Sequence, residues 1–295
     1  MSYSMFGVTA SRFLGAAVIL AAVLASADCG GNGSSPPPTT PSPPPTTPPP
    51  TTPTPPTPPV LNPCSVLSGF FGATQGIVNG VVCTDEQADR SSAVWLQMQD
   101  GDGRSLGYCS GTIIDTKAVL TAAHCLDGTT KAVAAFMGTG RQPITTREFY
   151  VSPDYTGIGP SSLDVGVVIF ASSLERAPVP LFTSRALTGG ESAVVAGWGT
   201  DGVSASGRTL RSGNLTVTRV TLTQIEAAFS ETTSGVCYGD SGGPLLASSG
   251  GVWAVAGITS KVTSGCLSGA SIWANVFNSS IKNFILKYVP GAGQR

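Results

Sequence analysis

The chain has 295 residues, of which 11% are charged; sixteen basic residues against seventeen acidic ones leave a net charge of −1. That balance, with no basic tract, excludes an electrostatic nucleic-acid binder. A single histidine, His124, excludes a zinc site built on several imidazoles, no C-x-x-C pair replaces it, and neither a metal nor a cofactor is expected.

In chain order, the N-terminus reads as an export signal. Arg12 closes a short polar region, an apolar run of about 13 residues ends at Ala25, and Ala25-Ser26-Ala27 fits a small-x-small cleavage site. The run is shorter than the roughly 20 residues a membrane span needs. A signal peptide over 1–27 is therefore expected, followed by a linker over 28–63. From Pro36 to Pro59 that linker is Pro and Thr with one Ser. It cannot bury a core and is expected to be disordered or extended, reaching on the order of 70 Å at ~3.1 Å per residue.

The remainder is rich in Gly, Ser, Thr and Val, and its apolar runs are short. Strands are expected at Ala93–Met98, Gly111–Ile114, Ala118–Thr121, Val165–Phe170, Ser192–Trp198, Leu215–Val220, Pro244–Leu246, Val252–Gly257 and Ile272–Val276. Each is bounded by Gly, Pro, Asp, Asn or Ser, which points to an all-β fold of barrels or a sandwich. One helix is expected over 279–289. Asn278 caps it, Ile281, Phe284, Ile285, Tyr288 and Val289 form its apolar stripe, and Pro290-Gly291 ends it.

His124 stands in Thr121-Ala122-Ala123-His124-Cys125, and Ser241 in Gly239-Asp240-Ser241-Gly242-Gly243-Pro244. A hydroxyl nucleophile needs an adjacent base, and the base needs a group that orients it. The G-x-S-x-G pattern alone also fits an α/β-hydrolase elbow, but there the histidine follows the serine, and no histidine follows Ser241. The order that survives is His, Asp, Ser. Five aspartates lie between His124 and Ser241, namely Asp127, Asp154, Asp164, Asp201 and Asp240. Asp164 alone opens an apolar strand that would draw its carboxylate under the surface, where the acid of a triad must sit.

These motifs resemble the trypsin/chymotrypsin-like serine proteases, and Gly197-Trp198-Gly199 and Ile77-Val78-Asn79-Gly80 extend the resemblance over about 77–289. It implies two six-stranded antiparallel β-barrels, about 77–185 and 186–277, with a C-terminal helix in a protease domain over 77–290. It implies a catalytic triad of His124, Asp164 and Ser241, and an oxyanion hole from the N–H groups of Gly239 and Ser241. It further implies activation by cleavage before Ile77, whose new amine would pair with Asp240, and bridges Cys109–Cys125 and Cys237–Cys266. Gly76 stands where such activation sites usually carry Arg or Lys. Of the three cysteines left, a Cys64–Cys83 bond would keep a cleaved pro-segment, 64–76, attached.

The resemblance also implies that Gly235 is the floor of the specificity pocket and Val262 and Ser271 its walls, and that Ser260 pairs with substrate backbone. A glycine floor brings no charge and a valine wall narrows the pocket, so cleavage after small or medium apolar residues is expected. Lys261 replaces the tryptophan common next to Ser260. No acidic residue lies between Gly128 and Arg147, where the family's calcium loop carries carboxylates. The resulting expectation is a secreted or cell-surface bacterial endopeptidase, a monomer acting on proteins or peptides. A catalytically dead binding or scaffold protein is the alternative. Cys29 follows the export signal as in a lipidated, membrane-tethered protein, although Asp28 precedes it; cleavage after Ala27 with release is the preferred reading.

Overall fold

Fourteen strands and three helices form among the described residues. The structure, a computed structural model, describes residues 64, 66, 77–129, 131–135, 142–203 and 209–295. All belong to one unit, Thr57–Arg295. The expected signal peptide and linker, Cys29, and the pro-segment other than Cys64 and Val66 lie outside the described residues.

Four strands of the first half follow the expected runs of β-branched and small apolar residues, and two that were not expected join them. This half comprises β2 (Ala93–Gln99), β3 (Ser105–Asp115), β4 (Ala118–Thr121), a single turn α2 (Ala123–Leu126), β5 (Lys131–Ala135), β6 (Ile144–Val151) and β7 (Gly166–Phe170). Its six strands close into an antiparallel barrel in the order β2-β3-β4-β7-β6-β5. Leu96, Ile113, Val119, Val168 and Phe170 share one face of it and are fully buried. Each such side chain stabilises the fold by about 1.5–3 kcal/mol relative to exposure.

The second half is an eight-stranded antiparallel sheet. Its strands are β8 (Ser192–Gly197), β9 (Arg211–Thr216), β10 (Arg219–Val220), β11 (Gln224–Ala228), β12 (Pro244–Ser249), β13 (Val252–Val262) and β14 (Ala270–Asn275), joined by β1 (Val81–Val82). The order is β1-β9-β8-β12-β13-β14-β11-β10. Six strands were expected here; the two extra ones, β1 and β10, are two residues long. β1 precedes the first barrel in sequence yet pairs with β9, so the stretch from Ile77 to Val82 belongs with the second half. The run Leu215–Val220, expected as one strand, divides at Val217-Thr218. Val217 N–H still donates to Glu191 O beside β8, but Thr218 N–H turns to Glu226 O in β11.

Two further helices frame these sheets. Thr84 caps α1 (Asp85–Arg90) with a reciprocal box: its hydroxyl accepts from Gln87 N–H, and the Gln87 side chain accepts from Thr84 N–H. At the chain end, Asn278 Oδ1 accepts from the N–H groups of Ser280 and Ile281, starting α3 (Ser279–Tyr288) where expected. α3 buries Ile281, Phe284 and Ile285, and stacks Tyr288 on Tyr150 of β6 at 3.7 Å. Disulfides join Cys64–Cys83, Cys109–Cys125 and Cys237–Cys266. No helix among the described residues is long and apolar enough to cross a membrane.

Candidate active site

The β4–β7 register creates the first part of the site. Thr121 pairs with Gly166. The chain leaving β4 turns through α2 and presents His124, while the chain entering β7 presents Asp164 beside it. Asp164 is buried, 3% exposed. Its Oδ1 accepts from His124 N–H at 3.0 Å, and its Oδ2 lies 2.8 Å from His124 Nδ1. Ser260 Oγ–H also donates to Oδ2, at 2.6 Å. Burial alone would push this carboxyl up. The hydrogen bonds from His124 and Ser260 and the attraction of the carboxylate to the neighbouring ring of His124 outweigh it, and the group ends below the usual carboxylate range. The imidazole is thereby held with its proton on Nδ1 and Nε2 free to accept.

Ser241 sits in a turn fixed from three sides. Ser110 N–H donates to Ser241 O at 2.8 Å, Gly242 N–H to Thr259 O at 2.8 Å, and Gly243 N–H to Asp240 O at 2.8 Å. The turn needs glycine at two points. Gly239 has φ +92°, and Gly242 has φ +81°. A Cβ on Gly242 would meet Thr121 Oγ1 at 2.1 Å and Ser110 O at 2.3 Å. Ser241 and His124 line one cleft of about 290 Å³, together with Ile158, Tyr238 and the β13 segment Thr259–Val262.

Beneath the turn, Asp240 is fully buried. Backbone N–H groups take both its oxygens, Gly199 on Oδ1 and Cys237 on Oδ2, each at 2.8 Å. Burial pushes its carboxyl up to about 7, against those bonds and the Arg211 guanidinium. A folded value above the unfolded one of 3.8 favours the fold at low pH, and that stability is lost as pH rises through about 7. Thermal melts of the intact chain should therefore lose stability between about pH 4 and pH 7. Asp240→Asn should flatten that loss, which is on the order of a few kcal/mol. Parallel pH profiles for the two chains would refute this attribution.

Ile77 is buried in the apolar cluster that contains Val236. It has φ +53°, uncommon for a β-branched residue. Val78 O accepts from Gly235 N–H, and Asn79 Nδ2 donates to the carbonyls of Ser230, Glu231 and Thr233. The segment from Ile77 to Asn79 is thus stitched to the loop leading into the serine turn. The expected pocket residues also converge. Ser271 Oγ accepts from Val236 N–H at 3.1 Å, a Cβ on Gly235 would lie 3.5 Å from Ser271 Oγ, and Val262 pairs with Ser271.

Ser110 escaped the sequence reading. Its hydroxyl accepts from Trp198 N–H and donates to Gly239 O, tying β3, the Gly197–Gly199 segment and the serine turn together. Ile158 and Tyr238, both exposed on the cleft, were also missed. Among the described residues, the one His/Cys/Asp/Glu grouping tight enough for a metal is Cys109, His124 and Cys125, whose two sulfurs are joined to each other.

Comparison with known proteins bears on the family and the fold. A family model described as Trypsin matches residues 81–285. The chain is 28% identical over 192 residues to vitamin K-dependent protein C of Mus musculus, a match covering 54% of this chain and 41% of that protein. It is 26% identical over 175 residues to the trypsin-like protease of Streptomyces glaucescens, covering 52% and 64% respectively. The matches thus span less than two thirds of the length of these curated relatives. The solved structure of HL collagenase shares the fold, with a TM-score of 0.60 at 22% identity, over 72% of this chain and 99% of that one.

Proposed function

The chain belongs to the trypsin family, and from that premise we propose that it is a serine endopeptidase working through an acyl-enzyme on Ser241. The observation that carries this reading is the buried Asp164 carboxylate holding His124 by both its backbone N–H and Nδ1, at the cleft that Ser241 lines. His124 Nε2 takes the Ser241 proton as Oγ attacks the scissile carbonyl. The N–H groups of Gly239 and Ser241 receive the oxyanion. The imidazolium, steadied by Asp164, then protonates the leaving amine, and the C–N bond breaks. Water repeats the sequence and frees the acid.

The neutral Gly235 floor and the Val236 and Val262 side chains favour small or medium apolar residues at the scissile position. One methylene shifts such selectivity by only ~1–3 kcal/mol. Cleavage between Gly76 and Ile77 supplies an ammonium that can pair with Asp240, and the apolar pocket makes self-cleavage there chemically consistent. The disulfides suit an oxidising compartment, so the protein acts outside the cell as a monomer on proteins or peptides. Release after Ala27, rather than lipidation at Cys29, fits the N-terminal pattern.

A fluorophosphonate probe tests the core of this. Cleaved wild-type protein should be labelled and Ser241→Ala should not; an unlabelled wild type would make the chain a binding module instead. If Ser241→Ala is still processed at Ile77 during expression, self-activation is out.

A further inference from the structure

β12 pairs with β13 only as far as Pro244–Ile258, while β14 continues alongside to Val262. The ladder with β14 is irregular between Thr259 and Lys261. Ser260–Val262 therefore has a strand partner on the β14 side, and its other edge borders the cleft with no strand recorded there among the described residues. An extended peptide can add to such an edge through main-chain hydrogen bonds, with its side chains choosing their own neighbours.

One neighbour on this edge is unlike the rest. The cleft wall is otherwise apolar or neutral, apart from His124, and Lys261 is its one side chain of fixed charge. The Asp164 carboxylate beneath is already engaged by His124 and Ser260. Lys261 Nζ reaches across the cleft and donates to Ile158 O, at 3.3 Å, in the loop that precedes Asp164. An ammonium has three donors. One is used on Ile158, so two are left for a substrate passing beneath. That bond, itself exposed to solvent, joins two residues that line the cleft and so keeps the ammonium at its rim. Ile158 is half-exposed beside it and offers no competing anion.

We infer that Lys261 selects an acidic side chain in the substrate, two to four residues from the scissile bond on the part retained as the acyl group. This rests on the endopeptidase reading and deepens it: the pocket under Val262 reads the scissile residue, and Lys261 adds a charge requirement further along the same strand. A partly exposed ion pair of this kind gives a modest preference, about 2- to 5-fold, and salt weakens it.

The test uses peptide pairs that differ only as Glu against Gln at each position on both sides of one scissile bond. For the activated wild type, kcat/KM should favour Glu about 2- to 5-fold at an acyl-side position in low salt, and the ratio should fall towards one in 1 M salt. Lys261→Gln should bring the low-salt ratio to one, and Lys261→Glu should invert it. Equal ratios in wild type and Lys261→Gln, or a preference confined to the leaving side, would overturn the inference. Affinities of the same peptides for Ser241→Ala give a second readout that needs no turnover. A wild type that neither cleaves nor takes the fluorophosphonate would sink the endopeptidase reading alone, since the Glu/Gln affinity ratio of Ser241→Ala still decides the role of Lys261.

Discussion

His124→Ala should lower kcat by about 10⁶-fold while leaving the fold intact, the scale on which loss of the base alone disables such a unit. The size of the effect follows from the composition. The chain has one histidine, so no second imidazole can move in. The side chain reaches the cleft from α2, and the backbone around it is held independently by the Cys109–Cys125 bridge and by the Asp164 bond to the His124 N–H. Alanine has the highest intrinsic helix propensity, so the turn itself survives. Steady-state turnover of an apolar-site peptide, with circular dichroism as the check on folding, makes the measurement. A loss of less than tenfold would mean that His124 is not the base.

Asp164→Asn should lower kcat by about 10⁴-fold at neutral pH. Asparagine keeps the volume but turns one acceptor into an NH₂ donor. If that donor faces Nδ1, the imidazole must carry its proton on Nε2, where it cannot receive one from Ser241. The Ser260 hydroxyl also loses a charged acceptor at 2.6 Å. A stability effect accompanies the rate effect, and its sign is fixed. The carboxyl of Asp164 is held below its usual range in the fold. It therefore stabilises the protein above the unfolded carboxylate range, and that contribution is lost as pH falls through the folded value. The difference in melting temperature between wild type and Asp164→Asn should be large at pH 7 and shrink in acid. A constant difference across pH, or a kcat within tenfold of wild type, would count against the assignment.

What could be read in advance was what local pattern encodes. The run Val165–Phe170 is uninterruptedly apolar, and the strand it forms is buried at every position. That is why Asp164 at its mouth was identifiable. β6 was not, because Ile144–Val151 alternates only weakly and carries Arg147 and Glu148; it is held by its ladder with β7 and by Tyr288 of α3 stacking on Tyr150. β11 hides likewise behind Gln224 and Glu226. The Thr84-x-x-Gln87 box of α1 did carry a readable signal. Ser110 carried none: its partners Trp198 and Gly239 are 88 and 129 residues away. The same holds for Lys261 and Ile158, which are 103 residues apart. Such contacts come from the closure of the two halves on one another, and nothing in either short segment announces the other.

The bond between Cys64 and Cys83 separates two events that are often one. On the proposed activation, hydrolysis before Ile77 would break the main chain but leave both pieces joined through sulfur. Whatever precedes Cys64 would then stay covalently attached to the cleaved enzyme. Liberation would require a second chemistry, a reductant, so that switching on and letting go answer to different signals.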